Sequence, residues 1–119
     1  MKKEVDAVTK LYDFILYLVP KLEKFPRNQK FLLGDRIETT LLDTLELLIE
    51  AAYTRRKTEL LTRANLRLER LRYLLRLCKD LKLIHLKTYE YTAKSIDTVG
   101  ASVGGWLKYS RRETTQPPL

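Results

Sequence analysis

Apolar residues recur at steps of three and four along nearly the whole chain. That is the spacing of one helical face, not the alternation of a half-buried strand. In the first segment Val5, Val8, Tyr12, Ile15, Val19 and Leu22 form one such stripe. Pro20 lies near its end, where loss of a backbone donor is expected to kink or weaken the last turn. Phe25-Pro26 then breaks the pattern, because a residue before proline is pushed away from helical angles. The spacing predicts a second helix from about Gln29 to Tyr53, with Ile37, Leu41, Leu45, Leu48 and Ala52 as its stripe and Leu42 and Ile49 beside them. A short basic turn, Thr54 to Lys57, leads into a third helix from about Thr58 to Lys82. Leu61, Ala64, Leu68, Leu71, Leu75 and Cys78 mark its inner side. A fourth helix, from about Lys87 to Tyr109, carries Tyr89, Ala93, Ile96, Gly100, Val103 and Leu107.

Four helices with short connections predict an all-α fold, an antiparallel up-down four-helix bundle filling residues 1–109. The polar, proline-containing end, residues 110–119, reads as a disordered tail. A chain of 119 residues fits one domain. Near the end of the fourth helix Gly100, Ala101, Ser102, Gly104 and Gly105 precede Trp106. Glycine in a helix interior costs about 1 kcal/mol relative to alanine. The cluster therefore implies close backbone approach, by a neighbouring helix of the bundle or by another subunit or partner, and Gly104 and Gly105 are expected to reject leucine.

Charge sharpens the picture. The net charge is +8, with 23 Lys and Arg against 15 Asp and Glu. By segment it is +2 over residues 1–27, −3 over 28–54, +7 over 55–82 and +2 over 83–119, so nearly all the excess belongs to the third helix and its preceding turn. Most of it is arginine, whose planar fork matches phosphate or carboxylate in two contacts. Arg56, Arg63, Arg67 and Arg70 fall within about 60° of one another on a helix, and Arg72, Arg76 and Lys79 gather on the opposite flank of the apolar stripe. Lys57 joins them from the turn. Such rows suit three surroundings: solvent, a row of carboxylates such as Asp43, Glu46 and Glu50 in the same or the next subunit, or a nucleic-acid backbone. Leu66, Tyr73 and Leu77 lie almost opposite the main stripe of the same helix. A second apolar face points to a homo-oligomer contact.

No catalytic constellation is present, and no enzyme activity is expected. The single histidine, His85, sits among Leu83, Ile84 and Leu86 and reads as a half-buried packing residue. With one Cys and one His there is no ligand set for a metal, and no cofactor is implied. No phosphate-binding glycine loop occurs. Cys78 falls in the core stripe as an inert filler. No run is long enough to span a membrane, and MKKEVDAVTK meets Glu4 and Asp6 before any apolar run, unlike a signal peptide. A reducing cytoplasm is the expected compartment.

Four stretches in order, FPRNQKFLLGDRI (25–37), LLIEAAY (47–53), ANLRLERLRYLLRL (64–77) and VGASVGGWLK (99–108), resemble Avd, the accessory variability determinant family of diversity-generating retroelements. The resemblance implies a four-helix bundle assembled into a homopentameric barrel. It implies a non-catalytic partner of the element's reverse transcriptase that, with template RNA, supports mutagenic copying into cDNA and retrohoming. Matching the family's L-R-x3-R pattern carries a polymerase- and nucleic-acid-binding role onto Arg72 and Arg76. Charge adds Arg56, Lys57, Arg63, Arg67, Arg70 and Lys79, through contacts mainly to the RNA or DNA backbone. Two other readings stand beside this one: a structural helical module pairing with an acidic protein, and a ribosomal-RNA-associated bundle of similar fold.

Overall fold

The computed structural model describes residues 2–115, with side chains from Asp6 to Glu113. Among these, every regular element is helical: α1 (Lys2–Leu22), a short α2 (Arg27–Gln29), a π-turn (Lys30–Gly34), α3 (Asp35–Ala52), α4 (Lys57–Asp80) and α5 (Leu86–Thr115). The rod measures 58 × 23 × 19 Å. Helix α1 packs on α3 and α5, and α4 packs on α3 and α5, so the four long helices form a closed antiparallel ring around one core.

The α1 stripe is displaced from the predicted one. Ala7, Leu11, Phe14, Leu18 and Leu22 are buried, Val8, Ile15 and Val19 are half-buried, and Tyr12 is exposed. Val5 lies outside the described side chains. Two adjacent series in α1 both have helical spacing, and the one with larger side chains at Leu11, Phe14 and Leu18 faces inward. Pro20 does not end the helix. Glu23 N–H still donates to the Val19 carbonyl at 3.1 Å, and the chain then tightens, with Lys24 and Phe25 donating three residues back.

Pro26 starts a helical run that continues through the π-turn into α3 without leaving the right-handed region. The wide turn buries Leu33 and Gly34 and leaves Phe31 and Leu32 outside. Gly34 lies under the end of α1, where a β-carbon would stand 3.6 Å from the Leu22 carbonyl oxygen. In α3 the buried series is Ile37, Leu41, Thr44, Leu48 and Ala51. Leu45 and Ala52 are half-buried at its edge, while Leu42 and Ile49 are exposed, contrary to expectation. Thr44 enters the core because its hydroxyl donates to the Thr40 carbonyl at 2.6 Å, leaving no orphan polar group.

Helix α4 buries every residue of the predicted stripe. It ends in a left-handed residue, Lys82 (φ 62°), with Leu83 N–H donating to the Cys78 carbonyl at 2.8 Å and Lys82 N–H to the Lys79 carbonyl at 2.9 Å. This double bond pattern closes a helix most cheaply with glycine. His85 is exposed, not half-buried, and its carbonyl accepts the Tyr89 N–H at the start of α5. In α5, Ile96, Val103 and Leu107 are buried as expected, together with Val99 and Trp106. Tyr89, Ala93 and Gly100 are half-buried. The helix runs on past Tyr109 to Thr115, so the tail does not begin at Ser110. The expectation for residues 116–119 lies outside the described residues. Among the described residues, a β-carbon on Gly104 would meet no atom within 4 Å, so close approach at that position is not seen.

Candidate nucleic-acid and partner interface

Helix α4 presents three strips beyond its buried stripe. One borders α5 and carries Arg72, Arg76 and Lys79. The outermost carries Leu66, Tyr73 and Leu77, all exposed. The third borders α3 and carries Arg63, Arg67 and Arg70.

The two cationic strips differ in how far the chain neutralises them. Arg72 is held by two carboxylates: its Nε donates to Glu69 at 2.9 Å and its Nη1 to Asp97 on α5. Asp97 first, and then Glu69, push the Arg72 pKa further up. Gly100 lies against this arrangement, and a β-carbon there would stand in ordinary van der Waals contact with Arg72 Nη2, at 3.5 Å. Arg76 stands 4.0 Å from Asp80, Lys79 stands 3.2 Å from the same carboxylate, and Lys79 also lies 4.8 Å above the Tyr89 ring. On the α3 side, Arg63, Arg67 and Arg70 have no ion-pair partner among the described residues. Neither do Asp43, Glu46 and Glu50 on α3 itself. The acidic row foreseen as a partner shares the bundle with these arginines without pairing to them.

The remaining cations named by the sequence sit at the start of α4. Arg56 pairs with Glu59 at 3.0 Å, and Lys57 Nζ donates to the Ala51 carbonyl at 2.7 Å, fastening the turn to the end of α3. A contact invisible in sequence brings more charge to this end. The Thr58 and Ser110 hydroxyls are 3.2 Å apart, so the last turns of α5 lie beside the first turn of α4. Lys108, Arg111 and Arg112 line an open cleft of about 540 Å³ with Gly104 and Leu107. Arg111 and Arg112 escaped sequence reasoning because residues 110–119 read as a tail. The signal was present: no glycine or proline lies between Gly105 and Pro117 to stop the helix.

On the far side of the bundle, α1 and α5 are latched by a polar triad. Lys10 Nζ donates to Ser102 Oγ at 3.0 Å, Ser102 donates to Asp6 at 2.8 Å, and Lys10 and Asp6 pair at 3.1 Å. Ser102 and then Lys10 hold the Asp6 carboxyl below the usual carboxylate range. Further along the same two helices, Tyr17 and Tyr91 meet with ring centroids 4.3 Å apart. Among the described residues no group of three or more His, Cys, Asp or Glu is placed to hold a metal, and no helix is long and apolar enough to cross a membrane.

The model of the family described as bAvd-like matches residues 7–110, all four long helices and nearly the whole chain, and the chain belongs to that family. No curated protein matches it. It is an Avd-type accessory protein, from a family whose role is non-catalytic.

Proposed function

We propose that this bAvd-like protein serves a diversity-generating retroelement by holding the element's reverse transcriptase and its template RNA or cDNA together. In this reading the chain self-associates, as a pentamer in keeping with its family, and presents a basic surface to phosphate backbones. Family membership carries the proposal. The charge distribution supports it: +7 over residues 55–82, with further cations converging from the end of α5. No base-reading element is needed, because backbone contacts supply affinity without sequence readout.

In this reading the cations divide by what they already pair with. Arg72 already satisfies two carboxylates, so its part is to brace α4 against α5 and hold Arg76 and Lys79 at the surface. Arg55, Arg56 and Lys57 lie at the turn before α4, and Lys108, Arg111 and Arg112 lie on the last turns of α5, which the Thr58–Ser110 contact brings beside the start of α4. These groups form the polyanion contact, with Arg76 and Lys79 continuing it along α4.

Binding of a fluorescent single-stranded RNA, followed by anisotropy from 50 to 200 mM salt, tests the reading. Neutralisation of several phosphates predicts an affinity loss of roughly tenfold or more over that range. Lys108→Glu with Arg111→Glu is expected to weaken binding and flatten the salt dependence while leaving helical circular dichroism intact. Absence of RNA and DNA binding at 50 mM salt would leave only an acidic protein partner for these cations and overturn the nucleic-acid role. Co-purification with a reverse transcriptase of a diversity-generating retroelement tests the polymerase contact separately.

A further inference from the structure

Two exposed apolar rows stand on neighbouring helices. On α3 and the turn after it the row is Leu42, Ile49 and Tyr53. On α4 it is Leu66, Tyr73 and Leu77. Both rows have the same spacing, a step of seven residues followed by a step of four. Each therefore presents three side chains spread over roughly 16 Å of helix. Exposed rows of this kind mark contact surfaces when they are continuous and flanked by charge.

The flanking charges are opposite. Asp43, Glu46 and Glu50 accompany the α3 row, and Arg63, Arg67 and Arg70 accompany the α4 row, and none of the six is ion-paired among the described residues. Carboxylates and guanidinium groups left unmatched on one bundle can match between two. The rows are different surfaces, so the contact they make is head-to-tail, not two-fold. Their directions also matter. Glu38, on the same flank of α3 as Leu42 and Ile49, lies close to Glu23 just after α1, which turns that flank toward α1. The α4 row points outward, slightly toward α3. At 100° per residue on a square bundle the two rows face directions roughly 120° apart. A head-to-tail contact repeated at that angle curves back on itself and closes a small ring.

We infer that the α3 face of one copy docks on the α4 face of the next, with Asp43, Glu46 and Glu50 set against the next copy's Arg63, Arg67 and Arg70. This rests on the self-association proposed above and deepens it by naming both halves of the contact. It also divides the arginines: the strip bordering α3 holds the neighbouring subunit, and the polyanion is left to the α5 side and the basic end.

Two variants of the full chain test this by light scattering and native mass spectrometry. One carries Leu42→Asp and Ile49→Asp, the other Leu66→Asp and Tyr73→Asp. All four sites are exposed, and thermal melts check that each variant folds. Each variant alone is expected to be monomeric, because each lacks one half of the contact. Mixed one to one, they are expected to form a dimer and nothing larger, since one intact α3 face and one intact α4 face remain. An α3-face variant that keeps the wild-type mass, or a mixture that stays monomeric, overturns the pairing. A wild-type chain that is itself monomeric at tens of micromolar overturns the self-association beneath it. Should either apolar variant fail to fold, Glu46→Arg with Glu50→Arg and Arg63→Glu with Arg70→Glu ask the same question. Each pair is expected to lose assembly alone and to recover it when both are combined in one chain.

Discussion

Replacement of Gly104 by alanine is expected to stabilise the protein. The position lies inside α5, eleven residues before its last described residue at Thr115, and its φ is not positive. A β-carbon there meets no atom within 4 Å, so the substitution creates neither a clash nor a new buried contact. What remains is backbone entropy, which favours alanine over glycine in a helix interior by about 0.8–1 kcal/mol. Over 119 residues the entropy of unfolding is roughly 0.25 kcal/mol/K near 60 °C, so the gain corresponds to a rise in Tm of about 4 °C. Thermal unfolding followed at 222 nm, repeated over a hundredfold range of protein concentration, measures it. Docking of one copy on another through α3 and α4 leaves Gly104 outside the contact, so the shift should not depend on concentration. A lowered Tm, above all one that falls further as concentration rises, would refute the reasoning. It would mean that another chain lies against this stretch of α5 and needs the missing side chain.

Other outcomes follow from particular contacts. Burial pushes the Cys78 thiol up to about 11, so at pH 8 roughly one thiol in a thousand is ionised. Native chain should react with an aromatic disulfide at least about a hundredfold more slowly than urea-unfolded chain, and comparable rates would mean that the α4 stripe opens readily. Lys82→Gly should raise stability by about 0.5–1 kcal/mol in urea titrations, because lysine sits in the left-handed region that glycine occupies without steric cost, and an unchanged midpoint would count against strain there. Partial burial, and then Glu23, raise the Glu38 pKa above its ordinary value. Ionising Glu38 therefore costs stability, and the cost builds as pH rises through its folded-state pKa. Glu38→Gln mimics the protonated form, so its stability advantage over the wild type should be larger at pH 7 than at pH 4; an advantage that shrinks toward pH 7 would reverse the sign of the argument.

How far the sequence disclosed the fold depended on how many apolar series each helix offered. In α4, arginine, lysine and glutamate occupy most positions outside one series, so the stripe from Leu61 to Cys78 was the available core and was read correctly. In α1 nearly every position from Leu11 to Val19 is apolar, and two series of equal spacing compete. Only the neighbouring helices decide between them, and they took Leu11, Phe14 and Leu18. In α3 the core accepts Thr44, a polar residue whose hydroxyl is satisfied locally, so a reading that follows hydrophobicity steps to Leu45 instead. The π-turn left no mark in the apolar spacing. The cationic rows were legible in the same way as the α4 stripe. Their partners were not, because Asp97 meets Arg72 across 25 residues of sequence and two helices.

That contact explains why the two flanks of α4 differ although their charges look alike in the sequence. Helix α5 brings Asp97 within reach of Arg72, while Glu69 holds the other edge of the guanidinium. Helix α3 offers no comparable carboxylate at the seam. It faces α4 with Leu47 and Thr40 half-buried at the seam, and its carboxylates stand further out, on the surface. Charge that finds a partner inside the chain stiffens the bundle and has little left to give an external polyanion. Charge without one must be hydrated or matched from outside, and arginines kept close together repel until it is. The +7 of residues 55–82 is therefore divided: Arg72 braces α5, and the strip beside α3 is open to a neighbouring subunit. Arg72→Ala should accordingly destabilise the single bundle without selectively weakening RNA affinity. The Lys108 and Arg111 reversals should do the opposite, and separating stability from affinity across these variants shows whether the flanks have distinct roles.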